Sequence, residues 1–368
     1  MVTEQQVREA LHHVRDPEIG KPIDEIGMLQ GVTVDGGRVR VDVLLTIEGC
    51  PLRERITNDV TEAVAPIPGV EGVEVTLTPM TADQREALVG NLRGGQPAAP
   101  AGQRINFAPS TSIVAVASGK GGVGKSSVTV NLATALAAEG ARVGVLDADV
   151  WGFSVPRMLG VEGQPVGFND MILPLEGHGV KVISMGFFVP EETPVIWRGP
   201  MLHKAIEQFL GDVYWGDIDF LLCDLPPGTG DVSISLASFI PGASMLVVTT
   251  PQEAARKVAE RAGKMAERTN LRALGVVENM SYYVCPHCGE REPIFGEGGG
   301  QLAADTLGVP LMGQVPLLPA VRQGGDDGIP IVVRDPSSPA AEAFREAATA
   351  LRHATKSKVG KPLSLTTR

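Results

Sequence analysis

Two short segments carry residues whose types and spacing suit chemistry on phosphate and on metals. In the first, SGKGGVGKSS, positions 119–126 match the pattern G-x-x-x-x-G-K-[ST]. Glycines let backbone N–H groups turn inward around a β-phosphate, and the N-terminus of the following helix favours an anion. Lys125 would reach the β and γ oxygens, and the hydroxyl of Ser126 would bind Mg²⁺. The predicted nucleotide-binding residues are Gly119, Lys120, Gly121, Gly122, Val123, Gly124, Lys125, Ser126 and Ser127.

The second segment is Cys285-Pro-His-Cys288. Two thiolates at this spacing can ligate one metal ion or one edge of a cluster, but a four-ligand site needs more. The sequence has no second CxxC, and the position of His287 between the cysteines argues against it as a third ligand. A twofold dimer would bring together four cysteines, which predicts one [4Fe–4S] cluster per dimer. A bridging zinc ion is the alternative; a thioredoxin-like dithiol is disfavoured because CPHC does not open the helix of a βαβ unit.

Three aspartates follow predicted strands. Asp147 and Asp149 lie in VLDADVWG, and Asp224 ends FLLCD. Carboxylates at the carboxyl ends of parallel strands point into the crevice where ligands bind. One such residue is often only a helix cap, but three of them beside one phosphate loop favour a shared metal and phosphate site.

The elements that position these residues are predicted from short apolar runs without alternation, which are typical of strands buried on both faces. Residues 126–139 predict a helix that stops at Gly140. Together these patterns indicate an α/β protein with a doubly wound parallel sheet. The apolar runs are residues 113–117, 143–146, 220–223, 245–248 and 275–277.

The rest of the chain predicts a second, smaller domain. Residues 3–15 have helical spacing, residues 39–45 and 73–77 alternate as strands do, and a helix begins just after Cys50. A segment rich in Gly, Pro and Ala separates the two parts. The predicted boundaries are 1–92 for a small α/β domain, 93–106 for a linker, 107–354 for the nucleotide-binding domain and 355–368 for a flexible tail.

Composition excludes several classes of protein. Lys and Arg number 32 against 43 Asp and Glu, a net charge of −11, which argues against a protein that chiefly binds nucleic acid. No uncharged apolar run approaches the roughly 20 residues that span a bilayer, and the polar start lacks a signal core. Four cysteines in 368 residues are not a disulfide framework of the small secreted kind. We therefore expect a cytoplasmic protein without membrane or direct nucleic-acid partners.

The motifs together resemble one family. GKGGVGKS is similar to the deviant Walker A motif of ATPases that include MinD and ParA. Across residues 107–350 the chain closely resembles the Mrp/ApbC iron–sulfur carrier ATPases, and residues 1–90 resemble the small metal–sulfur cluster assembly domain often fused to them. The segments that carry the resemblance are GKGGVGKS, DADVWGFSVPRMLG, WRGPM, DLPPGTGD, TTPQEAARKV, GVVENMSYYVCPHCG, IFGEGGG and GGDDGIPIV.

This resemblance implies a homodimer that assembles a labile [4Fe–4S] cluster on the cysteine pair and hands it to apo-proteins, under control of ATP hydrolysis. Cluster-assembly scaffold proteins would be further partners. It implies that Lys120 reaches the partner subunit's nucleotide, that Asp224 acts on Mg²⁺ through water, and that Asp147 assists at the metal. Asp149 would position the attacking water.

By the same resemblance Asn279 would recognise adenine, with Pro316 beside it. The glycines at 228 and 230 would let a switch segment move. Trp151 and Phe153 stand where the family commonly has Tyr and Pro, which puts the packing around Asp149 in question. Cys50 near a helix N-terminus has either a reactive or a buried structural thiol.

Two other functions remain open at this point. One is a MinD/ParA-like positioning ATPase, for which the chain lacks a basic patch or an amphipathic tail and has a surplus cysteine pair. The other is a nucleotide-dependent scaffold bridged by zinc.

Overall fold

The computed structural model describes residues 2–17, 19–46, 52–92, 105, 107–149, 152–168, 171–188, 199–227, 231–252, 255–285 and 287–355. The expectations for Cys50, Trp151, Gly228 and Gly230, nearly all of the linker and the tail from residue 356 lie outside these residues. The chain divides into two compact units, residues 1–104 with 166–173 and residues 105–165 with 174–368. The domain boundaries given above stay predictions.

The first unit is a small α/β arrangement. Strands β1 (Leu29–Asp35) and β2 (Arg38–Leu45) are antiparallel and joined by a tight turn in which Gly36 has φ +59°. Strand β3 (Gly72–Pro79) is parallel to β2. The first helix is shorter than the predicted 3–15, because after Leu11 the chain turns and Arg15 forms a bridge with Pro22. A capping box of Thr3 and Gln6 fixes its start. The elements are α1 (Glu4–Leu11), β1 (Leu29–Asp35), β2 (Arg38–Leu45), α2 (Arg53–Val64), β3 (Gly72–Pro79) and α3 (Ala82–Leu92).

The second unit alternates strands and helices. Its elements continue with β4 (Ser112–Ala117), α4 (Lys125–Ala138), β5 (Val143–Asp147), α5 (Val155–Met158), β8 (Leu175–Gly177), β9 (Val180–Ser184), α6 (Gly199–Gly211), β10 (Phe220–Asp224), α7 (Asp231–Phe239), β11 (Ser244–Thr249), α8 (Ala255–Thr269), β12 (Arg272–Val284), β13 (Arg291–Glu292), α9 (Gly299–Leu307), β14 (Leu311–Leu317), α10 (Pro319–Asp326), α11 (Ile331–Arg334) and α12 (Pro339–Thr355). Between β5 and β8, β6 (Val166–Phe168) and β7 (Met171–Leu173) form an antiparallel pair that belongs to the first unit.

The sheet of the second unit runs β13-β12-β11-β4-β10-β5-β9-β8, with β14 paired to β12. Its interior pairs are parallel, and within the described part of this sheet only β8 and β13 run antiparallel to their neighbours. Val114 and Val116 pack in a core shared with α4 and α12, while Ala115 and Cys223 point the other way and are also buried. Burial on both faces explains the continuous apolar runs, and it confirms the predicted α/β fold with a doubly wound parallel sheet.

Helix α4 ends as predicted, with Gly140 in the left-handed region at φ +83°. None of the described helices combines the length and the apolar character needed to cross a bilayer.

Candidate functional site

The loop between β4 and α4 adopts a backbone that requires glycine. Gly122 and Gly124 have φ of +77° and +76°. A Cβ on Gly124 would lie 2.3 Å from Nδ2 of Asn279, and a Cβ on Gly119 would lie 2.7 Å from the Cα of Val258 in α8. Tight packing around the loop therefore leaves no space for side chains at these two positions.

Lys125 opens α4 and is nearly buried, with 6% of the residue exposed. Its Nζ lies 2.7 Å from Oδ1 of Asp224 and 4.0 Å from Oδ2 of Asp149. Ser126 Oγ donates to Oδ2 of Asp224 at 2.5 Å, and Thr129 Oγ1 donates to Oδ1 at 2.9 Å. The structure thus brings the predicted lysine, serine and two of the aspartates into one cluster, while Ser127 lies in the same first turn of α4.

Asp147 completes this cluster, because it pairs in register with Asp224 across the parallel strands β5 and β10. It accepts hydrogen bonds from the backbone N–H of Asp149 at 3.2 Å and from Ser184 Oγ at 3.0 Å. Burial, and then the negative charge of Asp224, raise the pKa of Asp147 to about 8. The carboxyl is therefore mostly protonated at neutral pH, and a divalent cation would favour its ionised form.

These oxygens form a suitable donor set for Mg²⁺. Carboxylate and hydroxyl oxygens are the ligands that this hard cation prefers, and Ser126, Asp147 and Asp224 lie at adjoining positions. The residues present therefore fit the metal that the sequence predicts.

The extra lysine of the loop has a partner within its own chain. The ammonium of Lys120 donates to Oε1 of Gln252, which lies just beyond β11. Arg261 on α8 donates to the carbonyl of Gly119 at 3.3 Å. Gly121 has no atom within 4 Å of a Cβ placed on it. The predicted contact of Lys120 with a partner subunit stays a prediction.

Asn279 and Pro316 lie on neighbouring strands. Asn279 on β12 pairs with Val315, the residue before Pro316 on β14. The amide Nδ2 of Asn279 donates to the carbonyl of Val123 at 2.9 Å, so it also fixes the phosphate loop. Their contact with adenine stays a prediction.

The cysteine pair lies on a turn that directly follows β12. Cys285 N donates to the Glu290 carbonyl and Gly289 N to the Cys285 carbonyl, both at 2.9 Å, while Gly289 has φ +73°. The sulfur of Cys285 accepts backbone hydrogen bonds from Cys288 and His287, and these together with the Cys288 thiol lower its pKa. Cys285 is half-buried and Cys288 is exposed. The turn thus presents one thiol at the surface and favours the thiolate form of the other.

Within the described residues no three His, Cys, Asp or Glu side chains are arranged to hold a metal ion. The third described cysteine, Cys223, is fully buried in β10, where burial raises the pKa of its thiol. Among the described cysteines, Cys285 and Cys288 are therefore the two suited to metal, as two ligands and not four.

Comparison with known proteins assigns the family. A family model described as the NUBPL iron-transfer P-loop NTPase matches residues 110–352. The chain belongs to this family. A second model, described as an iron–sulfur cluster assembly protein, matches residues 4–77 of this iron-transfer P-loop NTPase.

Curated relatives of this iron-transfer P-loop NTPase carry the name iron–sulfur cluster carrier protein. The one from Mycobacterium leprae is 54% identical over 342 residues, which cover 90% of this chain and 88% of the relative. The one from Synechocystis is 44% identical over 350 residues, covering 94% and 95%. Among solved structures, a nucleotide-binding protein from Archaeoglobus fulgidus in complex with ADP has a TM-score of 0.55 and 38% identity, covering 63% of this chain and 91% of that one.

Several side chains in this iron-transfer P-loop NTPase were not predicted from its sequence. Thr129, Ser184 and Gln252 each bond a predicted residue from a separate part of the fold. Glu278 is buried beside Asn279. Only Glu278 had a local signal, since it is a single carboxylate within the apolar strand segment GVVEN.

Proposed function

We propose that this protein is an ATP-hydrolysing iron–sulfur cluster carrier that acts as a homodimer and transfers a [4Fe–4S] cluster to apo-proteins. The observation that carries the proposal is the Cys285–Cys288 turn, a preformed pair of thiols at the end of a strand that also contacts the phosphate loop. Two protein thiolates from each subunit would complete the four that such a cluster takes. Clients and scaffold proteins would meet the exposed side of the turn, where Cys288 lies. We place the protein in the cytoplasm.

At the phosphate site, Lys125 and the backbone N–H groups of the loop would hold the β- and γ-phosphates of ATP. Ser126 and Asp224 would hold Mg²⁺, directly or through water, with Asp147 beside them. The metal supplies neutralisation of the charge that develops on the phosphate oxygens. Asp149, whose Oδ2 lies 4.0 Å from Nζ of Lys125, would orient the attacking water, and Lys120 would leave Gln252 to reach the partner's nucleotide.

The cargo is tested by reconstitution with iron and sulfide under anaerobic conditions, followed by metal and acid-labile sulfide analysis. We expect about four iron and about four sulfide per dimer. The double variant Cys285→Ala/Cys288→Ala should lose both, whereas Cys223→Ala should keep both because that thiol is buried in the core.

Iron and colour retained by the double variant would contradict the cargo site. Zinc bound without sulfide would instead support a zinc-bridged scaffold. Size-exclusion chromatography of the loaded and metal-free forms tests the dimer, because a shared cluster requires two subunits.

A further inference from the structure

Strand β12 contributes to both the phosphate site and the cysteine turn. Asn279 in its middle bonds the Val123 carbonyl, and Cys285 directly follows its last residue. The six steps between these residues span at most about 20 Å at about 3.3 Å per residue. The same strand therefore contacts the nucleotide loop and presents the thiols.

Between these two points β12 is irregular. Asn279 pairs with Val315 of β14, and the next pair is Tyr283 with Leu317. The two paired residues are four positions apart on β12 but only two apart on β14, so β12 has a bulge between them. Met280, in this bulge, has φ +57°, a left-handed conformation that non-glycine residues rarely adopt. Its side chain lies beside the phosphate loop, since a Cβ on Gly124 would be 3.6 Å from Met280 Cε. Left without support, a strained bulge would absorb movement along the strand.

Glu278 supplies that support. It is 1% exposed, and its Oε1 accepts hydrogen bonds from Ser281 Oγ at 2.8 Å and from Gln314 Nε2 at 2.9 Å. Its Oε2 accepts from the backbone N–H of Gly300, the second residue of α9. One carboxylate thus joins the bulge, β14 and α9. The three donors lie on β12, β14 and α9, and both oxygens of the one carboxylate accept from them.

The glycine-rich segment IFGEGGG obtains a physical explanation from the same contact. A Cβ on Gly300 would lie 2.6 Å from the Cβ of Glu278, and a Cβ on Gly299 would lie 2.3 Å from the Pro251 carbonyl oxygen. Glycine at both positions lets the N-terminus of α9 approach the carboxylate and the end of β11 closely.

We propose that Glu278 is a positioning residue that couples the phosphate loop to the cysteine turn. It braces the bulge, so that a shift of Asn279 on nucleotide binding moves Cys285 and Cys288 with it. A cavity of about 270 Å³, lined in part by Glu278, Tyr282 and Arg291, lies beside the hairpin of β12 and β13. This inference rests on the proposed function, because it requires a nucleotide at the loop and a functional cysteine pair.

The test uses the reduced, metal-free full-length protein under anaerobic conditions. The rate at which iodoacetamide alkylates Cys285 and Cys288 is followed by mass spectrometry, with and without saturating MgADP, after the ADP affinity of each variant has been measured. In the wild type the rate should change by at least about fivefold on ADP binding. In Glu278→Gln an NH₂ group replaces one carboxylate oxygen and faces a neighbouring donor instead of accepting its hydrogen bond. The ratio of the alkylation rates with and without ADP should therefore approach one.

Two further variants separate coupling from packing. The double variant Glu278→Gln/Gln314→Glu exchanges the amide and the carboxylate, so that a donor again faces an acceptor between positions 278 and 314. It should recover most of the effect of ADP on the alkylation rate. Glu297→Gln removes an exposed carboxylate from the rim of the same cavity and should leave the effect unchanged. If Glu278→Gln does not fold, Gln314→Glu alone, at an exposed position, places two carboxylates together and should lose the effect in the same way.

Each outcome decides one question. A wild-type protein that binds ADP without a change in alkylation overturns the coupling, as does a wild-type ratio in Glu278→Gln or in Gln314→Glu. Failure of the wild type to bind ADP overturns the proposed nucleotide function instead.

Discussion

Replacing Lys125 with methionine should destabilise the larger unit by about 3 to 5 kcal/mol near neutral pH, the usual cost of removing one partner of a buried ion pair. Methionine fills a similar volume but leaves the buried carboxylate of Asp224 without its cation. That carboxylate is fully buried and lies next to Asp147, so it has no access to solvent as compensation.

The magnitude follows from the geometry. At the 2.7 Å between Nζ and Oδ1, the Coulomb attraction is roughly 6 kcal/mol for an effective dielectric constant of about 20, before the desolvation of both groups is subtracted. Hydrogen bonds from Ser126 and Thr129 remain in the variant and limit the loss.

The loss should also depend on pH. Burial and Asp224 raise the pKa of Asp147 to about 8, whereas an Asp in the unfolded chain titrates near 3.9. The folded protein therefore keeps a proton that the unfolded chain releases, and stability falls as pH rises from about 4 to about 8. Because Lys125 opposes this shift, its removal should raise the pKa of Asp147 further, so that the variant's deficit grows as pH rises above about 8.

Tryptophan fluorescence during urea unfolding provides the measurement. Trp215 is buried in the larger unit, so a change in its signal follows the unfolding of this unit. Lys120→Met is the matched control, since Lys120 bonds the neutral Gln252 and its loss should cost only about 1 kcal/mol. The reasoning would be refuted if Lys125→Met lowered the free energy of unfolding no more than the control does, and by the same amount at about pH 6 and at about pH 8.5.

Three further measurements test the phosphate site and strand β5. Binding of MgADP near pH 7 should release close to one proton, because Mg²⁺ ionises the carboxyl of Asp147; calorimetry in buffers of different ionisation enthalpy should detect this proton in the wild type and not in Asp147→Asn. Gly124→Ala should lose ADP binding, because Gly124 has φ +76° and a Cβ there would collide with Asn279. Gly121→Ala has space for its Cβ and should change the free energy of unfolding by no more than about 0.5 kcal/mol. Gly144→Ala would place a Cβ 2.7 Å from the Trp215 ring and should cost about 1 to 3 kcal/mol by the same fluorescence assay.

The predictable part of the fold is the part that local patterns determine. The apolar runs of β4, β5, β10 and β11 matched strands because both faces of each are covered. Short strands such as β8 and β9 were missed, since three to five residues without a repeated pattern carry too little signal.

The same distinction applies to the site. The phosphate loop is a contiguous motif, so the sequence suffices to recognise it, and the aspartates follow from the geometry of parallel strands. The partners Gln252 and Ser184 lie 132 and 37 residues from the groups they bond, and their contacts depend on tertiary packing alone.

The contacts of Glu278 separate two properties of the protein: the coupling of the phosphate loop to the cysteine turn, and the identity of the metal group that the turn holds. A buried carboxylate is costly unless its acceptors are satisfied, and an apolar residue here would leave the donors of Gly300 and Gln314 without this acceptor, while Ser281 Oγ would keep the backbone carbonyl of residue 278. The bracing it provides acts on the strand before Cys285, so it operates in the same way whether the turn holds iron and sulfide or zinc. Metal analysis can therefore overturn the identity of the cargo without affecting the coupling, and alkylation rates can overturn the coupling without affecting the cargo. Only a protein that passes both tests uses its nucleotide to control the thiols that hold a cluster.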